Sequence, residues 1–201
     1  MPLYKIIHIN ENTTAYFWHI TEDVTSLFRA VSLRDTSLFR LEGMKSEEHQ
    51  KGFLAVRMLL QHLGYTDYDL TYDEAGKPHL SDGKHISISH SHEFSCICIS
   101  DELMGIDLEK LKEKTLKIAP RFMEVKHLEN LTTSEQIEKA TVIWGVKESI
   151  FKIKNEKGIS FPEHIFEAEF DLKEAKCEAE LHFNNTIEKI NIQFYKVEDY
   201  I

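Results

Sequence analysis

The chain reads as an α+β protein built from two similar α+β halves, residues 1–103 and 104–201, in which antiparallel sheets pack with helices. Three observations predict this. Two stretches, about Ser46 to Leu63 and Ser134 to Ile153, carry apolar residues at helical spacing. In both halves such a helix is followed by segments in which apolar and polar residues alternate, the pattern of half-buried strands. Finally, 201 residues with 42% hydrophobic content can bury a core, yet leave room for only one large unit or two small ones. The two halves share no residue-level self-similarity, so the repeat lies in the order of elements.

In the first half, Leu3–Ile9 and Thr14–Ile20 alternate as strands, and the short apolar run at Met1–Ile7 suits a first strand better than a secretory signal. A polar, partly helical stretch leads to the helix at Ser46–Leu63. Ser46 is its natural cap, Glu47 and Glu48 suit the positive N-terminal dipole, and Gly64 stops it. Phe53, Val56, Leu60 and Leu63 form its apolar stripe. Gly76-Lys77-Pro78 breaks the chain as a loop. His85–Ser89 and Phe94–Ser100 then alternate as two strands, with His90-Ser91-His92-Glu93 as the hairpin connection.

The second half opens with a strand at Gly105–Glu109. Helices follow near Leu116–His127 and at Ser134–Ile153, the latter with Thr133 and Gln136 as a capping box and Ile137, Ala140, Trp144 and Phe151 as its apolar stripe. Ile165–Asp171, Glu178–Phe183 and Glu188–Val197 read as strands, the last two joined by a turn at Asn184-Asn185-Thr186.

Composition narrows the function. A formal charge of −10 argues against non-specific binding to nucleic acid or an anionic membrane, both of which demand a basic surface. No apolar run approaches the roughly 18 residues of a membrane span. Three cysteines offer no disulfide framework, which predicts a reducing, cytoplasmic location. Any anionic ligand must be held by a local basic cluster, which suits a small phosphorylated molecule.

The chemistry lies in Gly105-Ile106-Asp107-Leu108-Glu109 and in Trp144-Gly145-Val146-Lys147-Glu148-Ser149-Ile150-Phe151-Lys152. On a strand, Asp107 and Glu109 share a face. On a helix, Glu148 and Lys152 stand one turn apart. Three carboxylates and one ammonium together compose a hard-cation site able to hold a phosphate ester. Each part alone is ordinary. Asp-x-Glu is a common solvated strand face, and a Glu–Lys pair at this spacing is a surface ion pair worth about 0.3–0.5 kcal/mol. The joint pattern carries the reading.

In order and separation these two motifs resemble the signature of the 4′-phosphopantetheinyl transferase superfamily. Gly76-Lys77-Pro78 and Ile88-Ser89-His90-Ser91 resemble two further motifs of that family, and Phe53-Leu54-Ala55-Val56-Arg57 its arginine-bearing helix. Length and two-block organisation are similar to the surfactin-type branch, a single-chain pseudo-dimer and hence a monomer. The resemblance implies an enzyme that moves the 4′-phosphopantetheine group from coenzyme A to a serine of an apo acyl or peptidyl carrier protein, releasing adenosine 3′,5′-bisphosphate. It implies Mg²⁺ as cofactor, held by Asp107, Glu109 and Glu148. Glu148 would accept the serine proton, directly or through a metal-bound water, while Lys152 contacts the pyrophosphate. Arg57, Lys77, Ser89 and His90 would bind the coenzyme, with His90 also among the catalytic groups. His90 and His92 form an H-x-H pair, but no third ligand at suitable spacing makes it a zinc site.

Two other readings stay open: a non-catalytic binder of coenzyme A or carrier protein, and a different Mg²⁺-dependent phosphoester enzyme. Leu116–Asn130, with Lys117, Arg121 and Lys126 beside Phe122 and Met123, reads either as a carrier-docking face or as an ordinary amphipathic helix. Family members usually add an apolar strand after the segment matching Phe194–Val197, whereas this sequence stops at Tyr200-Ile201, so either the protein does without that strand or the strand is truncated and an edge of the second sheet is left unpaired.

Overall fold

A computed structural model describes residues 3–201, and the chain divides into two compact units, Met1–Ile106 and Asp107–Ile201. Both are mixed α+β, with antiparallel sheets and packed helices.

The first unit begins with the hairpin β1 (Leu3–Asn10) and β2 (Thr13–His19), followed by α1 (Val24–Ala30), α2 (Asp35–Glu42) and α3 (Glu47–His62). A small ribbon of β3 (Leu70–Tyr72) and β4 (Pro78–Leu80) precedes β5 (His85–Ser91) and β6 (Phe94–Ser100). The main sheet runs β1-β2-β6-β5, antiparallel throughout. As expected, Ser46 caps α3 by accepting the His49 N–H, and Gly64 follows its end at a positive φ of 86°. The buried face of α3 is wider than the predicted stripe, because Leu54, Ala55 and Leu59 are also fully buried. The cause is its place between the sheet and α1, which covers it from two sides.

The β5–β6 connection is tighter than the sequence suggests. His90 pairs with Ser95 and Ser91 with Phe94, so only His92 and Glu93 lie outside the ladder. His92 takes a φ of 49°, a left-handed conformation that favours glycine or asparagine. His90 is therefore held on a strand rather than a loop.

The second unit departs from expectation at its start. Gly105–Glu109 belongs to no sheet, and only its end is paired, with residues 199–201. Glu109 and Ile201 exchange both backbone hydrogen bonds, at 2.7 and 2.9 Å, and the Leu111 N–H donates to the Asp199 carbonyl at 2.8 Å. Nor is Leu116–His127 one helix. It comprises α4 (Glu113–Ile118) and two short 3-10 turns, Ala119–Arg121 and Val125–Leu128, with Pro120 near the break. Phe122 and Met123 are buried in the second core, so they cannot form the apolar half of a docking face.

The long helix α5 (Thr133–Lys154) is capped one residue earlier than predicted. Thr132 and Glu135 make the reciprocal capping box, while the Gln136 side chain donates to the Leu128 and Leu131 carbonyls. Its buried positions are Lys139, Ala140, Thr141, Val142, Ile143, Val146, Lys147 and Ile150, of which only Ala140 belongs to the predicted stripe. Trp144 and Phe151 lie at its flank, against Phe122 and Phe161. Beyond it come α6 (Phe161–His164) and the sheet β7 (Ile165–Glu167), β8 (Lys176–Phe183), β9 (Thr186–Gln193), antiparallel in that order, with β9 at an edge. Asn184 and Asn185, at φ of 50° and 61°, make the two-residue turn whose twist matches a hairpin.

All three cysteines are buried, Cys96 and Cys98 on β6 and Cys177 on β8. Burial pushes the Cys98 thiol up to about 12 and the Cys177 thiol to about 11. Among the described residues no helix is long and apolar enough to cross a membrane.

The β3–β4 ribbon is tied by Asp69, which accepts hydrogen bonds from the Ser81 hydroxyl and from the Thr66 hydroxyl and N–H, each at 2.7 Å. These bonds lower its pKa from 3.8 to about 2. A depressed carboxylate stabilises the fold fully above its unfolded pKa, and that contribution is lost as pH falls toward the folded value. Asp69→Asn is therefore expected to flatten the acid limb of stability between about pH 4 and pH 2, read as urea midpoints across that range. An unchanged acid limb contradicts the assignment.

Candidate functional site

Helix α5 carries two different sets of charges on two faces. Lys147 and Lys152 are five residues apart, hence about 140° around the axis. Lys147 points into the core, where its ammonium donates to the Ile165 carbonyl and to Glu167 Oε2, both at 2.6 Å. The Lys147 and Glu167 side chains are 2% and 4% exposed. Lys139, two turns earlier, donates to the Phe170 carbonyl at 2.8 Å. Together the two lysines pin α5 to the β7 segment. Although Lys147 lies inside the predicted motif, it serves the fold.

The other face meets the segment 107–109. Lys152 Nζ donates to Asp107 Oδ1 at 2.7 Å, with Asp107 only 5% and Lys152 26% exposed. A Cβ placed on Gly145 would lie 3.8 Å from Asp107 Oδ2, so the carboxylate rests directly over this helix face. Glu109 Oε1 accepts the Trp144 indole N–H at 3.2 Å. Burial, then the charge of Asp107, holds Glu148 above the ordinary carboxylate range, with Lys152 opposing. The same two causes raise Glu109, against the Trp144 hydrogen bond and Lys152, and Glu148 adds to the rise. Asp107, Glu109, Glu148 and Lys152 thus form one electrostatic group.

Three mutually repelling carboxylates beside one ammonium fit a divalent cation by the chemistry of their donors, since oxygen ligands and excess negative charge are what Mg²⁺ takes. As arranged, however, they are not a formed cage. Among the described residues no three His, Cys, Asp or Glu side chains converge closely enough to hold a metal ion.

In the first unit, His90 lies on β5 with its ring against α3, its centroid 5.9 Å from that of His49. Ser89 is buried on the same strand, and Ser87 Oγ accepts the Ile106 N–H at 3.0 Å. Lys77 is partly buried in the turn closed by Asp73, which accepts the Lys77 N–H at 2.8 Å.

Arg57, a coenzyme contact by the resemblance, lies in the core of the first unit. At 3% exposure, its Nε donates to Asp67 Oδ1 at 3.0 Å, its Nη1 to the Phe53 carbonyl at 3.3 Å, and its guanidinium lies 3.5 Å from the Phe53 ring centroid. Asp67 is itself only 1% exposed. Asp67, ten residues away and without a recognisable motif, left no signal in the sequence. Trp144 did leave one, as the first residue of its motif, but its hydrogen bond to Glu109 is visible only in three dimensions.

Residues 103–201 match the family described as ACPS, the 4′-phosphopantetheinyl transferase superfamily. The chain is 32% identical over 121 residues to the 4′-phosphopantetheinyl transferase gsp of Aneurinibacillus migulanus, covering 57% of this chain and 51% of that one. It is 30% identical over 128 residues to the 4′-phosphopantetheinyl transferase Sfp of Bacillus subtilis (strain 168), covering 59% and 57%. The chain spans about half the length of the curated relatives it matches.

The assignment of Lys147 to the fold has a direct check. Lys147→Ala leaves Glu167 buried without its cation and is expected to lower stability by about 3–5 kcal/mol in urea unfolding. Lys147→Met combined with Glu167→Leu removes both charges and should recover most of that loss. A double variant as unstable as Lys147→Ala would contradict it.

Proposed function

We propose that this chain, which belongs to the 4′-phosphopantetheinyl transferase superfamily and to its surfactin-type branch, transfers 4′-phosphopantetheine from coenzyme A to a serine of an apo acyl or peptidyl carrier protein. The observation that supports this best is the Asp107–Lys152 contact beside Glu109 and Glu148, a carboxylate-rich site with one ammonium. In the reaction the serine oxygen bonds to the phosphorus that carries the pantetheine arm. The bond from that phosphorus to the bridging oxygen breaks, and adenosine 3′,5′-bisphosphate leaves with the oxygen.

Asp107, Glu109 and Glu148 are the residues that would hold Mg²⁺, which when bound offsets the charge of the pyrophosphate. Glu148 is the acceptor of the serine proton. Lys152, the more exposed partner of its ion pair, supplies a positive charge to the pyrophosphate. Trp144 orients Glu109 through its indole N–H. For the coenzyme 3′-phosphate the set is Lys77, Ser89 and His90. Arg57, which the resemblance adds to that set, is paired with Asp67 in the core.

The test is to incubate the full chain with coenzyme A, Mg²⁺ and a panel of apo carrier proteins, reading intact mass. A gain of one phosphopantetheine per carrier is expected, and Asp107→Ala should abolish it with an unchanged circular dichroism spectrum. Carriers that stay unmodified while a known transferase modifies them would refute the proposal. Coenzyme A cleavage without any carrier would favour a different phosphoester enzyme.

A further inference from the structure

Gly52 sits in the interior of α3, a position where glycine weakens a helix. It has no conformational need to be glycine, because it is not among the residues at positive φ. What a side chain would meet there is His90. A Cβ on Gly52 would stand 3.0 Å from both Cδ2 and Cγ of the imidazole and 3.4 Å from its Cβ, closer than ordinary van der Waals contact. Two further contacts frame this spot. The Ser95 hydroxyl, on the strand residue paired with His90, donates to the Gly52 carbonyl at 3.3 Å. His49, one turn before Gly52 on the same helix face, has its ring centroid 5.9 Å from that of His90. The imidazole is thus seated on a bare patch of helix, with its strand fastened to the same residue.

We propose that Gly52 is a positioning residue for His90: the missing side chain is the seat that fixes where the imidazole points, and so how it meets a phosphate of coenzyme A. The second half of this statement rests on the coenzyme-binding reading of His90; the seat itself does not. Alanine is the better helix former, so Gly52→Ala keeps or raises the thermal midpoint while it displaces the ring. Stability and binding then move in opposite directions, which a merely structural role cannot produce.

The experiment compares wild type, Gly52→Ala, His90→Ala and the double variant. Without any ligand, the imidazole carbon-bound proton signals of His90 should shift in Gly52→Ala; unshifted signals overturn the seat. In calorimetric titration with coenzyme A, Gly52→Ala and His90→Ala should each weaken binding by about tenfold, the loss of one well-aimed contact to a charged group. The double variant should be no weaker than His90→Ala alone, whereas additive losses would show that Gly52 acts by another route and overturn the proposal. If His90→Ala binds coenzyme A normally while the ligand-free signals still shift, the seat stands and the coenzyme reading of His90 fails. Should Gly52→Ala fold poorly, recovery of folding in the double variant supports the seat, and failure of both overturns it.

Discussion

The second unit depends on one constraint: helix α5 must turn a lysine inward and a glutamate and a lysine outward without shifting along its axis. The buried Lys147–Glu167 pair sets that rotation. Two desolvated charges in contact leave little freedom, because any roll of the helix would strand one of them in an apolar core. Lys139 gives a second anchor two turns away, and the capping box fixes the start. With the inner face so fixed, Glu148 and Lys152 have a defined direction on the outer face. Burial of the two core charges thus serves orientation more than stability, since buried pairs add little net free energy.

The outer face shows the opposite balance. Burial and the charge of Asp107 raise both Glu109 and Glu148, and Lys152 offsets only part of this. The fold tolerates the arrangement because the carboxylate segment is secured through its backbone, by the paired bonds to Ile201 and Asp199. Backbone pairing bears the load that side-chain attraction cannot.

Much of this was legible in the chain. Alternation located β1, β2, β5 and β6, the Ser46 cap located α3, and the paired asparagines located the β8–β9 turn. What stayed hidden has a common physical cause. On α5, Lys139 and Lys147 occupy core positions, so the apolar period is blurred and the eye settles on Trp144 and Phe151 at the flank. The strand expected at Gly105–Glu109 has the right alternation, but pairing needs a neighbour, and that neighbour lies more than 80 residues on. Spacing likewise ties Arg57 to a helix without disclosing Asp67. At the site, the motifs brought Asp107, Glu109, Lys147, Glu148 and Lys152 to attention, while which of them face the core depended on which way each side chain turned.

The three buried cysteines have a meaning beyond packing. The coenzyme proposed for this protein ends in a thiol, and in any oxidising episode its disulfide would accumulate. Exchange with that disulfide requires an accessible protein thiolate. Here every cysteine is enclosed, and Cys98 and Cys177 are held protonated far above neutral pH. A thiol-bearing co-substrate such as the one proposed would therefore meet no accessible protein thiolate with which to form a mixed disulfide.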